Sequence, residues 1–169
     1  RTATLSVATT ADVTVGISTS GTGTEGTDYS TISDITISAG ATTGTASFTP
    51  TDDSVYEGNE TGIVAIDTVS GGSATEDGSQ SVTITITENE SSPTVTLTTS
   101  ATSIAENSGS TLTLTATISQ AADEDVTVNL GAAGTSTNGT DYGSLSSITV
   151  SAGDTTGTAT FDPTDDSTY

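Results

Sequence analysis

The 169-residue sequence predicts an all-β chain folded as tandem antiparallel β-sandwiches, and three observations lead there. The first is strict alternation. In DVTVGI, SITVSA, SVTITIT, TVTLTTS and TLTLTATI, apolar residues take turns with Thr or Ser, the period of a strand with one buried and one wet face. The second is an internal repeat. Asp28 matches Asp141 and Tyr56 matches Tyr169 at a single offset of 113. The register runs ungapped from Thr2/Thr115 to Tyr56/Tyr169, with roughly three fifths of the positions identical, far more than shared composition produces. The third is the cadence of turn residues, which separate about seven short alternating runs per period, as in a sandwich of two sheets. Composition alone pulls toward disorder, because Leu, Ile, Val and Phe make up only about 18% of a chain with a net charge of -21. The periodicity outweighs it, since a disordered chain has no reason to alternate.

Along one period, residues 1–8 read as the end of a strand whose counterpart is TLTLTATIS, residues 111–119. Residues 12–20 form the next strand, with Val13, Val15 and Ile17 on one face. The glycine-rich loop GTGTEGTDY follows and carries Asp28. Residues 33–39 and 43–49 are expected to pair as a hairpin around SAGATTG, with Gly40 and Gly44 supplying the turn and Phe48 pointing inward with Ala46. After the acidic turn TDDSVYEGNE, residues 61–70 are more continuously apolar and so should be central. Residues 71–79 read as an exposed loop and 80–87 as the last strand. At ENESSP, residues 88–93, the alternation stops and Pro93 blocks its continuation. This divides the chain into units 1–92 and 93–169. TVTLTTS and SIAENSG open the second unit, which repeats the same order. The first unit is expected to lack its opening strand and the second its last strands, supplied by neighbouring repeats of the same chain or by identical chains.

The 22 acidic residues face a single basic one, Arg1. Such a field repels nucleic acid and anionic membrane surfaces, and no apolar run is long enough to span a bilayer. Without Cys, His, Trp or Met, the common nucleophile–base pairs and nitrogen- or sulfur-ligated metal sites are excluded. Oxygen-ligated ions remain. TDDSVYEGNE crowds four carboxylates into ten residues, and TDDSTY at residues 164–169 repeats its first half. Two unit charges about 4 Å apart repel by roughly 1 kcal/mol in water and about 4 kcal/mol at an effective dielectric of 20. Asp-Asp placed twice after a β-like run therefore calls for a cation, and calcium, a taker of many oxygen ligands, is the natural one. A lone Asp-Asp pair is ordinarily solvated surface. Here both halves keep the turn carboxylates while nearby loop positions change: Glu25 becomes Asn138, Asp34 becomes Ser147 and Ala41 becomes Asp154. The Thr-x-Thr runs read as ordinary wet strand faces rather than an ice- or mineral-binding surface, because they occur on nearly every strand. Tyr29, Tyr56, Tyr142 and Tyr169 are expected to brace the acidic loops; six aromatics in all are too few for a carbohydrate platform.

GTDY, DDSVYEGNE, the SIAENSG opener and the acidic terminus after TITIT together resemble Calx-beta domains. These are immunoglobulin-like, calcium-binding sandwiches found in sodium-calcium exchangers and an integrin β subunit, and repeated many times in large bacterial surface proteins. The resemblance covers nearly the whole chain. It implies calcium ligands at Asp28, Asp52, Asp53, Glu57, Glu88 and Glu90 in the first unit, and at Glu106, Asp141, Asp165 and Asp166 in the second. The first unit has no opener Glu, and the second stops before its counterpart of Glu57. The implied function is a non-enzymatic, calcium-stiffened module for extension or adhesion at a bacterial cell surface. Two alternatives stay open at this point: an adhesin module that recognises glycan or a partner protein through its variable loops, and an accessory domain of a larger secreted enzyme. Paired carboxylates can act as acid and base, but no substrate cleft or aromatic subsite is legible in the sequence.

Overall fold

A computed structural model describes residues 1–166; Tyr169, one of the four expected braces, lies outside them. Among the described residues there are eleven strands and one 3₁₀ turn, Glu106–Ser108, and every strand ladder is antiparallel. By contact the chain divides into two compact units, the first Arg1–Asp53 with Gly58–Glu88, the second Asn89 onward together with Ser54–Glu57.

The first unit contains β1 (Thr2–Thr4), β2 (Val13–Gly21), β3 (Ile35–Ile37), β4 (Thr43–Thr45), β5 (Glu60–Ser70) and β6 (Ser81–Ile86). β1 pairs with β4, and the other four form a sheet in the order β3-β2-β5-β6. The continuously apolar β5 is an inner strand of that sheet, as its composition predicts. Val13, Val15, Ile35 and Ile37 are buried, with Ala3, Leu5 and Ala46 packed against them. Burying each such Val or Ile side chain is worth about 1.5–3 kcal/mol. A second cluster joins Tyr29, Ile32 and Val64 to Phe48 and Ile86.

The expected hairpin of residues 33–39 and 43–49 is not a ladder. β3 pairs with β2 and β4 with β1, so the turn at Gly40 (φ 82°) carries the chain from one sheet to the other. The physical reason lies at Gly44. A Cβ there would stand 2.5 Å from the Thr36 carbonyl oxygen and 2.8 Å from Ile35 Cγ2, so β4 crosses β3 at a distance only glycine permits. Gly44 thus serves close approach rather than turn geometry. Its repeat mate Gly157 does the same, with a Cβ 2.8 Å from Ile148 Cγ2 and hard against the Thr149 carbonyl.

The second unit contains β7 (Val95–Thr99), β8 (Leu112–Ile118), β9 (Val126–Val128), β10 (Ile148–Val150) and β11 (Thr156–Phe161). Its sheets are β11-β8-β7 and β10-β9, with Ala116, Ile118, Ile148, Val150 and Ala159 between them. In each unit a tyrosine stacks on a phenylalanine, Tyr29 on Phe48 at 4.6 Å and Tyr142 on Phe161 at 4.9 Å between ring centroids. Both tyrosines are buried, and each anchors the residue before it, Asp28 or Asp141, at the rim of the core.

Candidate metal centre

The loop that presents Asp28 is closed by its own backbone. The Gly26 N–H donates to the Tyr29 carbonyl (2.7 Å) and the Asp28 N–H to the Thr24 carbonyl (2.9 Å), while Asp28 Oδ2 accepts from the Thr24 N–H at 2.5 Å. Gly26 supplies the left-handed φ of 88° that the turn needs. Asp28 is 8% exposed, the one buried acid among the described residues. The Thr51 N–H donates to its carbonyl at 2.9 Å, which ties the loop to the start of the acidic turn. The second repeat copies the arrangement: Gly139 to Tyr142, Asp141 to Thr137, Thr137 to Asp141 Oδ2 at 2.5 Å, and Thr164 to the Asp141 carbonyl.

Glu60 opens β5, where its pairing with Ile86 of β6 fixes the backbone, and its Oε2 is shut off from solvent. Asp28 and Glu60 bring one carboxylate oxygen each within 4.8 Å, and Glu57, three residues before Glu60, supplies a third at the same mutual distance. At an effective dielectric of 20, each pair of charges so placed repels by about 3.5 kcal/mol or more. The span also suits an ion: two calcium–oxygen bonds of about 2.3–2.6 Å laid end to end cover it. Three hard oxygen donors, in a chain without histidine, cysteine or methionine, match calcium in chemistry as well as in size.

The remaining candidates divide. Asp52 and Asp53 lie exposed at the start of the turn. Glu88 clamps the turn's far end, its Oε2 accepting from the Gly58 N–H at 2.7 Å and its own N–H donating to Asn59 Oδ1 at 2.9 Å. Glu90 is half-buried just beyond. None of these four stands in the close carboxylate group. In the second unit Glu106 Oε1 accepts from the Asp166 N–H at 3.0 Å, which brings the opener to the paired aspartates. Asp141 and Asp165 are exposed, and no group of three carboxylates forms there among the described residues. Glu60 was not among the sequence candidates; its signal was its place, three residues after Glu57 and first in a strand.

Other acids are structural. Asp12 and Asp125, repeat mates, cap turns by accepting from Ala39 and Ala152. Asp34 accepts from Ile17, where the β2–β5 register shifts. Glu25 gives both oxygens to donors, Thr19 Oγ1 at 2.6 Å and the Ile32 N–H at 2.8 Å. The Thr19 hydroxyl first and the Ile32 amide second hold its carboxyl below the ordinary glutamate value, against a small opposing effect of burial.

Among curated proteins no relative matches the chain. The model of the Calx-beta domain, a non-catalytic, calcium-associated β-sandwich module, matches it twice, over residues 2–90 and 88–167. Two matches that together run almost the length of a chain already seen to repeat its loops, its stacked aromatics and its glycine crossings make this protein a member of the Calx-beta domain family.

Proposed function

We propose that the chain is a calcium-binding structural module of an extracellular bacterial surface fibre or adhesin. Asp28, Glu57 and Glu60 form the nucleus of its calcium centre, and Asp52, Asp53, Glu88 and Glu90 supply further oxygens once an ion draws the turn together. Glu106, Asp141, Asp165 and Asp166 are the corresponding donors of the second repeat. The observation that carries the reading is the meeting of three carboxylates within 4.8 Å in a chain whose only basic residue is Arg1. The family's association with calcium supports it. The surface role draws on the repetition, the acidity and the cysteine-free, threonine-rich composition. Among the described residues no helix is long and apolar enough to cross a membrane.

The test is a calcium titration of thermal stability. An ion at a hundred times its dissociation constant adds about 2.7 kcal/mol to the folded state, so melting should rise with calcium and fall back in EGTA. Asp28→Asn combined with Glu60→Gln should abolish most of that rise. Melting that is the same in calcium and in EGTA overturns the reading.

A further inference from the structure

We infer that Glu25 is a positioning residue that holds the Asp28 loop of the first repeat ready for its ion. The inference rests on the calcium reading above. The loop's own hydrogen bonds, from Thr24 to Tyr29, set its local shape and recur in both repeats. The side-chain tie from position 25 to β2 does not recur among the described residues. In the first repeat Glu25 Oε2 accepts from Thr19 of β2, and Oε1 accepts from the N–H of Ile32, a buried residue beyond the loop. One side chain therefore ties the loop to the strand before it and to the core after it. At the matching positions of the second repeat, Glu25 is replaced by Asn138 and Thr19 by Ala132, so both partners change together, while Gly26, Thr27, Asp28 and Tyr29 persist as Gly139 to Tyr142.

Glu25 is outside the close carboxylate group and both its oxygens are engaged, so it acts through position and not as a ligand. A loop already fixed binds its ion without first losing backbone freedom, and the freedom of a single residue is equivalent to roughly tenfold in affinity.

Calorimetric titration of the full chain with calcium chloride tests this on the parent, Glu25→Gln, Glu25→Ala and Thr19→Val, with circular-dichroism melting of each in EGTA. Glu25→Gln should bind within about twofold of the parent, because the amide oxygen accepts from Ile32 and the Thr19 hydroxyl can turn to accept from the amide nitrogen. Glu25→Ala should weaken binding at the Asp28 site about tenfold, and Thr19→Val, which removes one bond, about threefold. A Glu25→Gln loss as large as that of Glu25→Ala would assign the effect to charge and overturn the inference. So would parent-like affinity in Glu25→Ala and Thr19→Val, with or without lower melting. If Glu25→Ala does not fold, Thr19→Val against Glu25→Gln decides alone. A parent that takes up no calcium removes the calcium reading itself, an outcome distinct from all of these.

Discussion

Glu25 gives its carboxylate to Thr19 and Ile32, whereas three residues on Asp28 is held within 4.8 Å of oxygens of Glu57 and Glu60. The first charge is met by two donors of the fold, and the second stands beside two further carboxylates, where the proposed calcium ion would offset the repulsion. Because the folded-state value of Glu25 lies below its ordinary 4.5, its stabilisation is fully present above that value and is lost as pH falls through the folded one. Urea unfolding in EGTA should accordingly show the parent ahead of Glu25→Gln at neutral pH and the gap closing as pH drops well below 4.5. A gap independent of pH would mean the carboxylate's charge is not what the donors hold. For Asp52→Asn with Asp53→Asn, both at exposed positions, the expectation is an opposite pair of effects. Calcium affinity should fall at least tenfold, and the metal-free form should gain on the order of 1 kcal/mol as repulsion is relieved. A double variant that melts below the parent in EGTA would show that these aspartates hold the turn by hydrogen bonds.

At the scale of the strand, the corner between β3 and β4 is made by the missing side chain at Gly44, and again by Gly157 between β10 and β11. Gly44→Ala and Gly157→Ala should each cost about 1–3 kcal/mol in urea unfolding, the usual range for forcing a methyl into filled space. A neutral Gly44→Ala would mean that β4 does not cross β3 so closely. The same corner marks where sequence reading stops. Alternation located β2, β6, β7 and β8 within a residue or two, and a continuously apolar run located β5; in β2 and β8 a buried face imposes the period on the strand's own residues. It did not distinguish a hairpin from a crossing between sheets, since both need two alternating runs and a glycine turn at Gly40. What separates them is a distance between backbones, which appears in the sequence only as a second glycine open to either explanation. The candidate site divides in the same way. Asp28 and Glu57 were legible as carboxylates at strand ends, whereas Glu60 was not singled out. Which oxygens meet was not, because that follows from the closed loop around Asp28 and from Glu60 lying first in β5.

For the molecule as a whole, a net charge of -21 acts on every acid at once, so the local pull of a calcium centre must be told apart from general neutralisation. Salt separates them. In EGTA the dominant effect is self-repulsion, and raising sodium chloride shortens the screening length from about 10 Å at 0.1 M to about 3 Å at 1 M. Melting should therefore climb with salt. On the proposed reading, bound calcium offsets two of the three charges of the Asp28, Glu57 and Glu60 group, and added sodium weakens its attraction to those oxygens while relieving the repulsion left elsewhere. The climb should be shallower, and the interval between the calcium and EGTA curves should narrow as salt rises. Magnesium at equal ionic strength supplies the decisive comparison. It screens as calcium does, but it sheds water reluctantly and demands octahedral geometry, so it should raise melting only to the level that its ionic strength confers. If magnesium instead reproduces the calcium curve point for point, the stabilisation belongs to the acidic surface in general, and the carboxylate group at Asp28 is no calcium centre.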